Sequence, residues 1–129
     1  MAKYAHPDVL DGGLNAIRNA ANQWHVIRNY SAGDSYATVQ GNSLGNVTMV
    51  SSDYVLANGS GSSRTLTTPS NKAANATAAS GAGPNLHFAF VDTATSRVLW
   101  VTDETTDQVI ASGNPMSLPA LTYTSLQPV

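Results

Sequence analysis

The sequence predicts a mainly β domain, an antiparallel β-sandwich or barrel, preceded by an N-terminal helix or arm. Apolar residues within positions 1–24 recur at helical spacing. From position 25 onward the spacing becomes two, in short runs separated by Gly, Pro, Asn and Ser. Turn signals at intervals of roughly 8–12 residues are typical of sandwiches and barrels. We therefore expect a single domain over residues 1–129, with the helix or arm in 1–24 and the β domain in 25–129.

The N-terminal segment carries one apolar stripe. Its members follow one another at intervals of four, three, four and three residues: Leu10, Leu14, Ile17, Ala21 and Trp24. Pro7 suits a first helical turn. Gly12 and Gly13 each weaken a helix by about 1 kcal/mol relative to Ala, so the helix is expected to begin after them or to depend on tertiary contacts. Two placements stay open, a helix that covers its own β domain and an arm that packs on a neighbouring subunit.

The β domain is expected to contain eight or so short strands. Leu86, Phe88 and Phe90 alternate with His87 and Ala89, and after a turn at 92–96 the chain returns as the best strand of the sequence, which contains Trp100. Residues 72–80 fit either a poor strand or an ordered loop. The candidate strands are 25–30, 35–40, 47–50, 54–56, 64–68, 86–90, 97–102, 108–111 and 121–124.

The C-terminal tail, residues 115–129, contains three prolines and little charge. Proline lacks the N–H that a central strand needs, so it is confined to edges and irregular segments. The tail is therefore expected to lie extended along the surface or along a partner.

The composition argues against several kinds of function. The chain has six Lys and Arg residues, well scattered, and a net charge of −2, so no nucleic-acid surface is expected. No apolar run approaches the roughly 18 residues of a membrane span. The absence of Cys excludes disulfides and thiolate sites, and the three His residues lack zinc-site spacing, so no metal or other cofactor is expected. His25 and His87 alternate with apolar residues and are predicted on the outer faces of strands.

Residues 41–45 have the pattern G-x-S-x-G around Ser43. In α/β-hydrolases this pattern marks a nucleophile on a strand–turn–helix, and Asp53 and His87 follow in the right order for a triad. The residues after the motif are β-branched and strand-like, and the chain is short for that fold. We therefore interpret the motif as a hairpin turn, and no catalytic residue is predicted.

An acidic group, Asp103, Glu104 and Asp107, offers oxygens to a hard cation. It lacks the alternating Asp/Asn and Gly spacing of a calcium loop. A solvated turn between two strands is the preferred interpretation.

The low-charge, Thr-rich character of the chain suits extensive contact with other proteins. Trp24 fits the core and an interface equally well, whereas Trp100 is expected in the core. The residues predicted at an interface come from the helix stripe and the tail: Leu10, Leu14, Ile17, Trp24, Pro115, Leu118, Pro119 and Tyr123.

Three segments together, 8–14, 33–39 and 97–104 continuing to Pro119, resemble small virion structural proteins of tailed bacteriophages, of the capsid decoration or cement type. The resemblance covers nearly the whole chain and involves no catalytic signature. It implies a non-enzymatic protein in the virion, made in the host cytoplasm, that binds and stabilises the major capsid protein lattice. It also implies a homo-oligomer, a dimer or a trimer, with no direct contact to nucleic acid or membrane.

Three other functions remain open from the sequence. The first is a tail, neck or fibre component of the virion, which copy number would distinguish. The second is a carbohydrate- or host-surface-binding β module, which exposed aromatic residues clustered on one face would favour. The third and weakest is an enzyme that uses Ser43.

Overall fold

The computed structural model describes residues 2–129, and it confirms a mainly β fold with an N-terminal helix. The three sheets in these residues are antiparallel and separate, and none of them closes, so the sandwich or barrel arrangement is not confirmed. The helices are α1 (Pro7–Ala20) and α2 (Tyr36–Gly41), and the strands are β1 (Gln23–Ile27), β2 (Ser43–Thr48), β3 (Val55–Asn58), β4 (Arg64–Thr67), β5 (Lys72–Asn75), β6 (His87–Asp92), β7 (Arg97–Asp103), β8 (Pro115–Leu118) and β9 (Thr122–Ser125).

Helix α1 packs on its own chain. Pro7 lies at the start of the helix, and the His6 side chain caps it by accepting a hydrogen bond from the Asp8 amide at 3.1 Å. The helix runs through Gly12 and Gly13, so it does not begin after them, which leaves the other alternative that the sequence offered, support by tertiary contacts. Tertiary contact explains why the helix tolerates both glycines, because helical stability in proteins comes mainly from packing of an apolar face.

The largest sheet has the order β2-β1-β6-β7 and contains the predicted hairpin. Phe88 and Phe90 face the main core, whereas Ala89 and Val91 on the opposite face pack with Val39 of α2. Strands β1 and β6 are therefore buried on both faces. This arrangement corrects the prediction that His25 lies on an outer face, since its side chain is under α2 and the residue is 1% exposed.

Helix α2 occupies the residues that were predicted as the strand 35–40, and that prediction was wrong. The Ser35 hydroxyl accepts a hydrogen bond from the Thr38 amide at 3.2 Å, which satisfies an otherwise free N–H at the helix start. Val39 is the buried residue of this helix. Six residues of mixed polarity do not distinguish a short helix from a strand, so the capping serine was the better signal.

The two smaller sheets have the orders β3-β4-β9 and β5-β8. Strands β8 and β9 come from the tail, so part of the segment expected to lie extended is paired, in both cases at a sheet edge. The predicted strand 108–111 is a loop, in which the Ile110 amide donates to the Ser80 hydroxyl at 2.9 Å. Strand β2 spans Ser43–Thr48, so it begins and ends earlier than the predicted strand 47–50.

The main core lies between α1 and the three sheets. An aromatic stack forms its centre: the Phe90 ring lies 4.6 Å from the Trp100 ring and 4.9 Å from the Trp24 ring, measured between centroids. Leu14 from α1, Leu66 from β4 and other fully buried side chains surround this stack. Helix α1 and the three sheets therefore share one apolar centre, whereas α2 packs in a smaller second cluster.

Candidate interaction surfaces

Four of the residues predicted at an interface are core residues. Leu14 and Trp24 are 0% exposed, Ile17 is 5% exposed and Leu10 is 6% exposed. They bury their side chains in the chain itself and present no surface to a partner. This burial corrects their assignment to an interface and places the helix on its own domain.

The other four predicted residues lie in the tail. Pro115 and Pro119 are exposed, whereas Leu118 is buried. The Tyr123 ring packs edge-on against Trp100 at 5.5 Å and keeps 42% of its surface exposed. Pro115, Leu118 and Pro119 line one groove of about 610 Å³, whereas Tyr123 belongs to the sheet β3-β4-β9.

The outer face of the sheet β3-β4-β9 carries only uncharged side chains. The strand register aligns three residues across the sheet in each of two rows, and the side chains of alternate residues share a face. The opposite face, with Leu56, Leu66 and Tyr123, points to the core. The outer rows are Val55–Thr67–Thr122 and Ala57–Thr65–Thr124.

We call these two outer rows the threonine face, and one hydrogen bond across it agrees with the strand register. The Thr67 and Thr122 hydroxyl oxygens lie 3.3 Å apart across two strands. Val55 is 58% exposed, and Thr122 and Thr124 are exposed as well. These side chains carry no charge to desolvate, and their hydroxyl groups can form hydrogen bonds with a partner, so the array suits contact with another protein surface.

The half-buried Ser43 and the buried His25 form a polar pair that the sequence did not predict. The Ser43 hydroxyl lies 2.7 Å from His25 Nδ1, and Gln23 Oε1 lies 2.9 Å from His25 Nε2. Gln40 Nε2 also lies 3.3 Å from His25 Nε2, and the Ser43 hydroxyl lies 3.4 Å from the Gly45 carbonyl oxygen, so both ring nitrogens have hydrogen-bond partners in either neutral tautomer. Burial lowers the pKa of His25 from 6.5 to about 4, so the ring is neutral at pH 7.

The surroundings of Ser43 differ from those of a hydrolase nucleophile. Helix α2 precedes Ser43 and strand β2 begins at it, which is the reverse of the strand–turn–helix order. His25 rather than His87 is its partner, and Asp53 instead forms an ion pair with Lys72 at 3.1 Å. The pair therefore serves to satisfy buried polar groups beneath α2.

The second glycine of the G-x-S-x-G motif has a packing function. A Cβ atom on Gly45 would lie 2.8 Å from Met116 Cε and 3.2 Å from the Asn75 carbonyl oxygen. The Met116 side chain can move aside, but the Asn75 carbonyl belongs to the backbone of β5, so glycine eases the close approach of β2 to β5. A Cβ atom on Gly41 would have no neighbouring atom within 4 Å, so the space around Gly41 does not require glycine.

The remaining sequence candidates are separate in the structure. Glu104 Oε1 accepts hydrogen bonds from the Thr106 amide and hydroxyl, and Asp107 Oδ1 accepts from the Leu86 amide at 2.7 Å. His87 Nε2 lies 3.6 Å from Asp103. Within residues 2–129, no three His, Asp or Glu side chains converge as metal ligands.

Two further observations concern membranes and carbohydrates. None of the helices described in residues 2–129 is long and apolar enough to cross a bilayer. The main aromatic cluster, Trp24, Phe88, Phe90 and Trp100, is buried, so these rings do not form a stacking platform for sugars.

Comparison of the chain with protein-family models, with curated proteins and with solved structures finds no match.

Proposed function

We propose that this chain is a non-enzymatic bacteriophage virion protein, a capsid decoration protein that binds the major capsid protein lattice. The observation that carries the proposal is the uncharged threonine face of the sheet β3-β4-β9. A low overall charge and the resemblance of segments 8–14, 33–39 and 97–104 to such proteins support it.

The threonine face would act by mass action on the assembled shell. A protein that binds only the assembled lattice stabilises it by RT ln(1 + [L]/Kd) at each site, and the lattice repeats that contribution many times. Copies that associate as dimers or trimers would engage several capsid subunits at once, which raises the effective concentration at each contact.

A binding experiment with particles that lack this chain tests the proposal. Purified wild-type protein is added to such shells, and the bound fraction is measured by sedimentation and quantitative gel analysis. Thr122→Lys places a charge at the β9 end of one outer row and is expected to weaken binding at least about tenfold, because the interface would bury an unpaired ammonium group.

Asn19→Lys is the matched control, because it adds the same charge at an exposed position of α1. It is expected to bind as the wild type does. Equal binding of wild-type protein and Thr122→Lys would refute the assignment of the threonine face, and no binding of either would refute the proposed decoration function.

A further inference from the structure

A groove of about 610 Å³ opens along the free edge of β8. In the two-stranded sheet, β8 pairs only with β5. Met116 and Leu118 turn their side chains inward and are buried, whereas Pro115 and Ser117 point outward, yet all four residues line the groove. Side chains from the two faces of β8 can border the same groove only along an edge of the strand, so the groove runs along the backbone of β8.

The strand register shows which backbone groups face this groove. The Ala76 amide donates to the Asn114 carbonyl at 2.8 Å, so Ala76 and Asn114 lie opposite each other as a hydrogen-bonded pair. The next pair along the ladder, Asn75 and Pro115, is therefore one without mutual hydrogen bonds. In an antiparallel ladder such pairs alternate with bonded pairs, so Met116 bonds Ala74. The N–H and C=O of Ser117 therefore point away from β5, together with the carbonyl of Pro115.

Prolines limit how much of this edge is available for pairing. Pro115 and Pro119 lack an N–H group, so Ser117 supplies the one backbone donor between them that faces away from β5. Proline is one of the devices that protect exposed edges from unspecific pairing. The part of the edge between the two prolines has room for a short extended segment that pairs with Ser117. It does not have room for a long strand.

The side chains around the groove define the chemistry of an occupant. Leu86, Phe88 and Ile110 are core residues that form the apolar floor of the groove, and Glu104 provides a carboxylate. The lining contains no Lys or Arg, and within residues 2–129 no such side chain forms an ion pair with Glu104. Asp103 and Asp107 do not line the groove, so among the described residues Glu104 is the one charged side chain of its lining. A matching segment has apolar side chains and a Lys or Arg.

We propose that the β8 edge binds an extended segment of a partner polypeptide that adds as a third strand, with apolar side chains in the groove and a Lys or Arg beside Glu104. Backbone pairing at an edge supplies affinity, and pockets for alternate side chains supply specificity. The inference is independent of the capsid assignment, because it uses a different surface and requires only the β8 edge and its charge.

Amide-resolved NMR with a defined probe tests this inference. The ¹⁵N-labelled chain is titrated with the peptide acetyl-Val-Lys-Val-Thr-Val-Lys-amide and, separately, with the same peptide carrying Glu in place of Lys. The basic peptide is expected to shift the amides of Met116, Ser117 and Leu118 and to slow hydrogen exchange at Ser117. The acidic peptide is expected to bind at least about fivefold more weakly, through repulsion from Glu104.

Two pairs of variants locate the contact. Ser117→Pro removes the groove-facing donor without removing a hydrogen bond to β5, and it is expected to abolish binding, whereas Ser117→Ala retains the donor and the binding. Glu104→Gln keeps an oxygen that accepts from Thr106 and is expected to reduce the preference for the basic peptide severalfold. Asp8→Asn, which neutralises an exposed carboxylate on α1, is expected to leave the preference unchanged.

Several results would overturn the inference. One is the absence of shifts in residues 115–118 at millimolar peptide, and another is equal binding of the two peptides. Shifts confined to the threonine face would also refute it. If Ser117→Pro does not fold, intermolecular Hα and amide contacts between wild-type Ser117 and the bound peptide decide the question, and their absence refutes strand addition.

Discussion

The buried imidazole of His25 predicts an unusual dependence of stability on pH. The residue is 1% exposed, and its burial lowers the pKa from 6.5 to about 4 in the folded protein. The unfolded chain therefore binds a proton between these two values that the folded chain does not. The free energy of unfolding must fall as the pH decreases from about 6.5 to about 4, with the full contribution of neutral His25 present above that window.

The size of the effect follows from the two pKa values. Each unit of difference corresponds to about 1.4 kcal/mol, and integration of the linkage relation gives a loss of about 2 kcal/mol between pH 7.5 and about pH 5. The loss reaches about 3 kcal/mol near pH 4, where carboxylates also begin to titrate. The change in unfolding free energy above pH 5 therefore reports the protonation of His25 with the least contribution from carboxylates.

Urea denaturation monitored by Trp fluorescence measures the effect. Unfolding free energies of wild-type protein and His25→Gln are compared at several pH values between about 5 and 7.5. The wild type is expected to lose about 2 kcal/mol more than the variant over this range, whatever their difference at neutral pH. His6→Asn preserves a capping side chain at an exposed position and is expected to show the wild-type slope.

Parallel pH profiles of wild type and His25→Gln would refute this reasoning. So would an NMR titration in which the His25 ring protonates near its ordinary pKa of about 6.5 in the folded protein. Either result would mean that the imidazole is solvated or paired with a charge, and the Ser43–His25 pair would have to be abandoned.

Three further predictions concern stability and use the same denaturation measurement. Leu14→Ala should cost about 2–5 kcal/mol, because Leu14 is fully buried between α1 and the sheets, and a cost below about 1 kcal/mol would argue against docking of the helix. Ser35→Ala should cost about 0.5–2 kcal/mol through loss of the α2 cap, whereas Ser35→Asp should retain most of the stability. Ser43→Ala should cost about 1–3 kcal/mol because it leaves His25 Nδ1 buried without its hydrogen-bond partner, and no measurable loss would contradict the hydrogen bond.

The hairpin β6–β7 and the helix α1 were predictable from the sequence because each carries a strong local pattern. Leu86, Phe88 and Phe90 alternate as a strand requires, and the apolar stripe of α1 recurs at helical spacing. The same patterns did not show what the apolar side chains touch. Trp24 fits a core or an interface equally well in the sequence, the helix stripe with Leu14 has two open placements, and only the tertiary arrangement puts both residues in the core.

The candidate surfaces were harder to predict because they depend on contacts distant in sequence. The threonine face requires β4 to pair with β9, which brings Thr67 beside Thr122. The position of His25 was missed because strand β1 is covered on both faces, and alternation then carries no information about exposure. The Ser117 N–H faces the β8 groove because of the register between β5 and β8, and this register cannot be read from the local sequence.

The most direct test of the proposed function is the copy number of this chain in purified phage particles, measured by quantitative mass spectrometry against the major capsid protein. A decoration protein that binds a repeating lattice is expected at about one copy per one to a few capsid subunits. A handful of copies per particle would instead assign the chain to the neck, tail or fibres. Complete absence from the particles would contradict the structural function altogether.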